Sequence, residues 1–278
     1  MRIINLIENT EGVPGCLFGH GLSFYIETAG HRLLLDLGPS DAVLENAARL
    51  GIDLKAVDTV ILSHGHYDHS GGILPFARIN SRAAIYMRRT ADGAYYEDLG
   101  AASEGERYRY IGIDKAICSL SRVRVCKGDV ELDEELSLLT VKQRTHELPF
   151  SNRSLMVKIG DAYIRDQFEH EQFLVISENG RRILLSGCAH NGILSILDAF
   201  SRKYGAAPDA VISGFHLMKQ GEYTKGEREE IGRIAEALRK LPTKLITCHC
   251  TGLPAYLLMK EILGEQLSYV HSGEEIIV

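Results

Sequence analysis

The stretch SHGHYDHSGG, residues 63–72, places three histidines and one aspartate within six residues: His64, His66, His69 and Asp68. Neutral imidazole and carboxylate are groups that bind zinc, iron or manganese, and three or four of them fill a coordination sphere at ~2.0 to 2.2 Å. The spacing predicts that His64 and His66 lie on one side of a tight turn and that Asp68 and His69 lie on the other. Because such a loop can serve one ion or two, the stretch predicts a metal centre.

An apolar strand precedes this loop, and three further histidines follow the same arrangement. His64 comes after DTVILS, and His190, His216 and His249 come after RRILLS, DAVIS and KLITC. Functional groups in layered α/β folds collect in the loops beyond the strand ends, on a rigid base. The four strand ends therefore predict one common rim that carries the site.

The rest of the pattern is also typical of an α/β protein. Residues 1–38 read as three strands. A helix is predicted from an N-cap at Ser40 to about Leu50. The pattern ILSILDAFSRKY predicts a helix that stops at Gly205, and Pro254 suits the first turn of another helix. Strands and helices thus follow one another along the chain.

Composition and charge limit the classes of partner. The chain has 278 residues, of which 45% are hydrophobic and 24% are charged, and its net charge is −6. It has no overall basic field, so neither nucleic acid nor a membrane is expected as a partner. The start MRIINLIENTEGV has too short an apolar run for a signal peptide, and no later run approaches 18 apolar residues. We therefore expect a cytoplasmic protein with reduced cysteines.

These motifs together resemble the signature of the metallo-β-lactamase superfamily. SHGHYDHSGG carries the resemblance, and LLLDLG, LLSGCAHNGI and ITCHCTG extend it over nearly the whole chain. The motifs RYIG, HEQFLVI and SGFHL resemble the branch named for 7,8-dihydropterin-6-yl-methyl-4-(β-D-ribofuranosyl)aminobenzene 5′-phosphate synthase. The resemblance implies a four-layer αββα sandwich with one or two metal ions at the sheet edges, and we expect a single domain over residues 1–278.

The resemblance also implies a set of metal ligands. It assigns two residues to a first ion and three to a second ion: His64 and His66, and Asp68, His69 and His249. The superfamily usually adds a histidine to the first ion, and His190 is the best candidate for it. It also adds a bridging aspartate after a strand-end glycine, where this sequence has Cys188. We expect Cys188 to pack at the strand end, with metal ligation as the alternative.

Three other residues are candidates for the surroundings of the metal ions. His170 could be a metal ligand, a substrate contact or an exposed side chain, and the sequence does not decide among these. His216 is expected to face the substrate, with a structural role as the alternative. Asp36 is expected to accept the free N–H of a ligand histidine and so to fix its ring. The predicted substrate contacts are therefore His170 and His216 on this rim.

The remaining potential ligands are expected to have no part in the site. Cys248 and Cys250 should point to the same side of an extended backbone, away from His249, and pack in the core. The other histidines are expected on the surface or in loops without a role: His20, His31, His146 and His271.

Residues 76–140 form a less regular stretch, which we expect to be a partly helical insertion that caps the site. From Arg78 to Arg124, nine Lys and Arg stand against six Asp and Glu, a balance of 9 − 6 = +3. Arg107 and Arg109 stand beside tyrosines that can stack on a planar group, and guanidinium groups match phosphate oxygens. Arg109 is therefore predicted to bind the substrate. A solvated helical insertion without such a role is the alternative.

The predicted centre suits a metal-dependent hydrolase or transferase. Ions held in this way act as Lewis acids and lower the pKa of bound water from ~15.7 to about 7, which favours hydrolysis of an ester, thioester or phosphoester. The branch name implies a different reaction, in which an aminobenzene nucleophile displaces pyrophosphate from a pterin. In both cases we expect a small anionic, phosphate-bearing substrate, with Asp68 and His190 as catalytic residues. A metal-holding sensor or ligand-binding protein is the alternative, and the oligomeric state stays open.

Overall fold

The computed structural model describes residues 1–101 and 105–278, so residues 102–104 of the predicted cap segment lie outside the described residues. The described chain forms mixed α/β structure, as predicted. Its strands, in chain order, are β1 (Arg2–Ile7), β2 (Ser23–Glu27), β3 (Arg32–Leu35), β4 (Thr59–Ile61), β5 (Ala84–Arg88), β6 (Tyr95–Asp98), β7 (Tyr108–Tyr110), β8 (Val123–Cys126), β9 (Val130–Glu131), β10 (Leu136–Leu139), β11 (Leu155–Ile159), β12 (Ala162–Arg165), β13 (Phe173–Glu178), β14 (Arg181–Cys188), β15 (Ala210–Gly214), β16 (Lys244–Thr247), β17 (Leu267–Tyr269) and β18 (Glu275–Ile276).

The helices are α1 (Ala42–Arg49), α2 (Tyr67–Ser70), α3 (Ile73–Ile79), α4 (Ile193–Tyr204), α5 (Lys225–Arg239) and α6 (Leu253–Leu263). The predicted N-cap at Ser40 is wrong, because α1 begins one residue later, at Asp41 as N-cap. Gly205 ends α4 as predicted, and its φ of 75° is one that glycine adopts without steric cost. None of the helices in the described ranges combines the length and the apolar composition that a membrane span requires.

Two seven-stranded mixed sheets form the body of the molecule. The first has the order β18-β1-β2-β3-β4-β5-β8, and the second has the order β17-β16-β15-β14-β13-β10-β9. Neighbouring strands are parallel from β3 to β8 in the first sheet and from β14 to β17 in the second. The motif-bearing strands β4, β14, β15 and β16 all belong to these parallel parts, so their carboxyl ends meet at one rim.

Three hydrophobic clusters show that the sheets and helices form four layers. One cluster fills the space between the two sheets, with Phe24, Leu33 and Leu35 from the first and Leu138, Leu185 and Ile212 from the second. The other two pack the outer sheet faces against helices: Val60 and Ile85 against Val43 and Phe76, and Leu184 and Val211 against Ile196 and Ala235. Burial of each large apolar side chain contributes about 1.5–3 kcal/mol. The predicted αββα sandwich is therefore confirmed.

A third, four-stranded sheet has the order β12-β11-β6-β7. Its strands β6 and β7 come from the segment over residues 76–140, which also supplies β5, β8, β9 and β10 to the two large sheets. In the described part of this segment, helix is limited to the end of α3 and one 3-10 turn at Lys115–Ser119. The prediction of a partly helical insertion is thus corrected to mainly β structure. Cross-strand tyrosines hold it, since the rings of Tyr96 and Tyr110 pack edge to face.

Candidate metal centre

The stretch SHGHYDHSGG, residues 63–72, which we call the signature loop, runs from β4 into α2 at the rim. His66 has extended backbone and is the N-cap of α2, whose first turn contains Asp68 and His69. Gly65 lets this loop pack tightly, because a side chain there would collide with the carbonyl oxygen of Ala91 and lie 2.9 Å from the ring of Tyr95. The loop thus turns from strand to helix within a few residues and brings all four signature side chains to the same rim.

Three imidazoles face one another at the first of two groups of potential ligands. The ligand atoms of His64, His66 and His190 lie within 4.8 Å of one another, and all three residues are buried. The Nε2 atoms of His64 and His190 are 3.3 Å apart. The structure therefore brings together the three residues that the sequence predicts for a first metal ion.

Asp68 is the centre of the second group. Its Oδ2 lies 3.4 Å from the Nε2 atoms of His69 and His249, the other two residues predicted for a second ion. The Nε2 atom of His20 lies at the same distance of 3.4 Å. His20 is exposed in the loop before β2, as predicted, and this loop folds over Asp68, so its imidazole lies beside the second group. Gly21, which follows His20, is the sequence signal for this close approach, because a Cβ there would lie 2.6 Å from the backbone oxygen of Asp68.

Side-chain oxygens hold four of these imidazoles from behind. Each oxygen lies at Nδ1, so that Nε2 faces the centre: Ser63 Oγ at 2.8 Å from His64, Asp36 Oδ2 at 2.7 Å from His69, Asn152 Oδ1 at 3.0 Å from His190 and Asn9 Oδ1 at 2.7 Å from His249. Carboxylate and amide oxygens only accept, so Nδ1 of His69, His190 and His249 carries a proton, and Nε2 offers a lone pair whenever the ring is neutral. This is how proteins orient metal-binding histidines. The prediction that Asp36 accepts the N–H of a signature histidine is confirmed, at His69.

Two ring nitrogens show whether a metal ion would fit between these side chains. The Nε2 atoms of His66 and His249 are buried and have no hydrogen-bond partner among the residues that the structure describes. A buried polar atom without a partner costs free energy. Proteins therefore keep such an atom where a bound ligand can pair with it. With four further imidazole or carboxylate groups around them, these nitrogens fit a divalent transition metal ion.

The first group is electrically neutral. Burial is the largest cause that lowers the pKa of His64 and His190 well below the usual value, and neighbouring imidazoles lower it further. The same causes bring the pKa of His66 to about 3. Near neutral pH these rings are therefore unprotonated, which is the form that binds metal.

The second group carries an ion pair. Burial opposes charge here, but Asp68 and Asp36 together raise the pKa of His69 to about 10. Burial likewise acts to raise the pKa of Asp68, yet His69 and His249 hold it well below its usual range. A metal ion that binds His69 at Nε2 must displace this proton, so metal uptake at the second group is coupled to proton release.

His170 lies behind the signature loop, fully buried. Its Nδ1 accepts the N–H of Gly65 at 3.0 Å, and its Nε2 lies 2.9 Å from Asp166 Oδ2. Both ring nitrogens are thus engaged within the protein. Next to it, the buried carboxylate of Glu171 accepts the backbone N–H groups of His190 and Asn191 at 2.7 and 3.0 Å. These contacts fix the loops that carry the first group. The role of Glu171 could not be predicted from the sequence, because only the fold brings it next to His190.

His216 and Arg109, the other predicted substrate contacts, lie in different places. His216 is half-buried with its ring centroid 4.0 Å from that of His190, and neither of its ring nitrogens has a hydrogen-bond partner among the described residues. Arg109 is exposed on β7 and pairs with Glu97. Arg109 also lowers the pKa of Tyr67, which burial and Asp68 raise, so the guanidinium is within electrostatic reach of the signature loop.

The cysteines lie closer to the centre than predicted. Cys188 Sγ is 3.4 Å from His69 Nε2. The backbone of His249–Thr251 forms a 3-10 turn rather than an extended strand. This turn brings the Cys250 sulfur within 4.8 Å of the ligand atoms of Cys188 and His249, so the prediction that it points away is wrong. Cys248 does pack in the core between the two sheets, as predicted.

Backbone strain is concentrated at this site. Five described residues other than glycine have positive φ, and four of them touch the centre or support it: Asp36, Phe168, His216 and His249. Phe168 stacks on the ring of His190, with centroids 4.7 Å apart. Left-handed backbone costs about 1–3 kcal/mol at such residues and persists where the surrounding structure over-determines it. The strain therefore marks the rim as a functional site.

Comparisons with known proteins agree with this geometry. Residues 17–146 match the family model of the Metallo-beta-lactamase superfamily. The chain is 29% identical over 295 residues to the 7,8-dihydropterin-6-methyl-4-(beta-D-ribofuranosyl)-aminobenzene-5'-phosphate synthase of Methanocaldococcus jannaschii, with 99% of this chain and 96% of the relative covered. The similarity therefore extends well beyond the part that matches the family model.

Solved structures give the same result. The crystal structure of Tm1679, a metal-dependent hydrolase of the beta-lactamase superfamily, matches with a TM-score of 0.83 and 28% identity, covering 100% of this chain and 99% of that one. Zn²⁺-bound PqqB from Methylobacterium extorquens shares the fold, with a TM-score of 0.58 and 15% identity over 100% of both chains. In sequence, residues 17–146 thus match the metallo-β-lactamase superfamily, and the whole chain has the same fold as Tm1679.

Proposed function

We propose that this protein is a metal-dependent enzyme, a hydrolase or a transferase, that acts on a small phosphate-bearing substrate. The convergence of His64 Nε2 and His190 Nε2 to 3.3 Å, beside the carboxylate of Asp68, carries this proposal. Imidazole and carboxylate suit zinc first, with iron or manganese as alternatives. The two groups of ligands have room for one or two ions.

The chain's own residues would hold, orient and exchange protons in this site. An ion bound by the two groups would supply Lewis-acid chemistry toward an anionic oxygen of the substrate. Asp36, Asn9 and Asn152 fix the rings of the ligand histidines through Nδ1. The His216 ring lies beside His190, and neither of its nitrogens has a hydrogen-bond partner within residues 1–101 and 105–278, so it can bind a substrate oxygen or accept a proton.

Similarity supports a phosphate-bearing substrate. The name of the Methanocaldococcus relative denotes a synthase whose product is an aminobenzene 5'-phosphate, whereas Tm1679 is called a hydrolase. For this chain we therefore propose the shared element, metal-assisted chemistry at an anionic group, with a pterin-like group as one option. Its negative net charge of −6 makes a small molecule a better partner than nucleic acid.

Metal content and turnover test this proposal together. We expect purified protein, or protein reconstituted with zinc, iron or manganese, to hold about one or two ions per chain by elemental analysis. The loaded protein should then turn over at least one member of a panel of phosphoesters, thioesters and pterin derivatives. Failure to bind any of the three metals after reconstitution would refute the proposal. Stoichiometric metal without turnover on the whole panel would favour a non-catalytic sensor, for which Cys188 in place of a bridging carboxylate is the supporting observation.

Arg109 tests the substrate side of the proposal. Replacing it with alanine should weaken binding of inorganic phosphate by about 10- to 150-fold, because a charged hydrogen bond worth about 1.5–3 kcal/mol is lost, while metal content stays the same. Isothermal titration of the metal-loaded protein with phosphate measures this change.

Arg239→Ala is the matched control for Arg109→Ala. Arg239 lies at the end of α5, its side chain is as exposed as that of Arg109 (58%), and it also pairs with one glutamate, Glu236. Its loss should leave phosphate affinity unchanged. Equal affinities in the two variants would mean that the segment over residues 76–140 has no part in anion binding.

A further inference from the structure

The side chain of Glu8 connects the two large sheets at the rim. Glu8 directly follows β1 of the first sheet and is fully buried. Its Oε2 accepts the backbone N–H of His249 at 2.9 Å and the hydroxyl of Tyr269 at 3.0 Å. His249 comes two positions after β16, and Tyr269 ends β17, both in the second sheet. One carboxylate oxygen thus joins the end of β1 to the turn that carries a predicted metal ligand.

The contact at the N–H of His249 supports a strained backbone. His249 begins the 3-10 turn His249–Thr251 with a φ of 49°, and Cys248 before it provides no side-chain cap. Left-handed backbone costs about 1–3 kcal/mol and persists only where the surrounding structure holds it. The first N–H groups of a helical turn also need acceptors from outside that turn. Glu8 supplies such an acceptor from 241 positions away in the sequence.

The other oxygen of Glu8 acts on the ring of His249 through Asn9. Oε1 accepts the N–H of Thr10 at 2.6 Å, which closes a tight turn over residues 8–10. Asn9 lies in the middle of this turn, and its Oδ1 is 2.7 Å from His249 Nδ1. His249 Nε2, on the opposite side of the ring, is buried and has no hydrogen-bond partner in the described part of the chain. The same carboxylate therefore holds His249 both by its backbone and by its ring.

We propose that Glu8 is a positioning residue of the metal centre, which fixes the backbone and the ring of His249 so that Nε2 is directed at the ion. This inference rests on the metal centre proposed above and adds a residue that does not itself bind the ion. The contacts of Glu8 described here are to neutral N–H and O–H groups. A buried carboxylate is stabilised by a positive charge in its neighbourhood, and an ion at His249 would provide one.

Zinc affinity gives the first test. Glu8→Gln keeps the size of the side chain but replaces one acceptor oxygen with an NH₂ group that cannot accept, so the donors around it cannot all be paired. We expect zinc binding to weaken by about 10–100-fold in a competition with a chromophoric chelator. Tyr269→Phe is the matched control, because it removes a hydrogen bond to the same Oε2 and leaves the one from His249. It should leave zinc affinity unchanged, and equal losses in the two variants would overturn the inference.

The protonation of the ring separates positioning from a merely structural role. Nitrogen-15 spectra of histidine-labelled, metal-free protein, at a pH where the ring is neutral, report which nitrogen carries the proton. We expect His249 to carry it at Nδ1 in the wild type and in Tyr269→Phe, and to become a mixture of both forms in Glu8→Gln. If Glu8 only fastened the two sheets together, both variants would unfold at lower urea concentration and the ring of His249 would stay as in the wild type.

The wild type alone decides the matter if Glu8→Gln fails to fold. Its His249 amide should exchange slowly with deuterium, because the N–H is hydrogen-bonded to a buried acceptor. Fast exchange of this amide, or a neutral ring with its proton at Nε2, would overturn the role of Glu8. These measurements need no metal, so such a result would leave the metal centre standing. Failure of the wild type to bind zinc, iron or manganese would instead remove the metal centre and the role of Glu8 together.

Discussion

Replacement of His66 by alanine is expected to weaken metal binding at the first group by about 100-fold or more. Loss of a residue that supports a ligand already costs about 10–100-fold in metal affinity, and His66 is itself one of the proposed ligands. Its buried Nε2 has no hydrogen-bond partner among the described residues, so the substitution breaks no hydrogen bond at this atom. Competition with a chromophoric chelator, followed by elemental analysis, measures the affinity and the number of ions retained.

His146→Ala is the control for this prediction. His146 is half-exposed and its Nε2 pairs with Asp198 at 3.2 Å on the surface of α4. It is a histidine with a carboxylate neighbour, as in the second group, but outside the centre. We expect the metal content of the His146→Ala protein to equal that of the wild type. Similar losses in His66→Ala and His146→Ala would mean that the metal lies elsewhere.

Asp36→Ala is expected to have the largest effect on stability. Asp36 is fully buried and accepts three hydrogen bonds: from Ser63 N–H at 2.7 Å, Ser63 Oγ at 2.6 Å and His69 Nδ1 at 2.7 Å. Alanine would leave these donors unpaired and would also have to adopt a φ of 60°. Breaking a buried pair of this kind costs about 3–5 kcal/mol. Urea unfolding of metal-free protein measures the free energy of unfolding without the contribution of bound metal.

Asparagine at position 36 separates the charge from the conformation. It tolerates left-handed backbone and keeps an acceptor for Ser63, but its neutral amide interacts less strongly with His69. We expect a smaller loss of about 1–3 kcal/mol, with metal affinity reduced about 10-fold or more. Asp198→Ala on the surface should stay within about 0.5 kcal/mol of wild type. If Asp36→Ala unfolded at the wild-type urea concentration, the hydrogen bonds to Asp36 would contribute nothing to the fold.

Local patterns in the sequence were sufficient to predict the αββα sandwich and six candidate metal ligands. Segments of five or six residues with an apolar centre predict buried strands, and each of the four motif histidines follows such a segment. Parallel strands bring their carboxyl ends to one edge, so the meeting of these side chains follows once the strands are recognised. Asp36 could be predicted for the same reason, since it also stands at a strand end, directly after β3.

The residues that the sequence did not reveal depend on packing between distant segments. Cys250 reaches the centre only because the chain turns after β16, whereas an extended backbone would direct it elsewhere. His20 approaches Asp68 through a loop that has no periodic pattern. The third sheet joins β6 and β7 to β11, about sixty positions later, through short strands whose alternation is too brief to detect. In each case the missing information is a contact, which no local pattern encodes.

The hydrogen bond between Asn9 and His249 joins residues 240 positions apart. Closing so long a loop costs conformational entropy that later contacts must repay, and such contacts slow folding. The first group cannot form before the second half of the chain is present, because His64 and His190 are 126 positions apart. During synthesis, the signature loop therefore leaves the ribosome long before its partners exist. If the two groups bind metal as proposed, their complete loading must follow synthesis of the second half of the chain, and an arrested or truncated chain would display the signature without its full set of ligands.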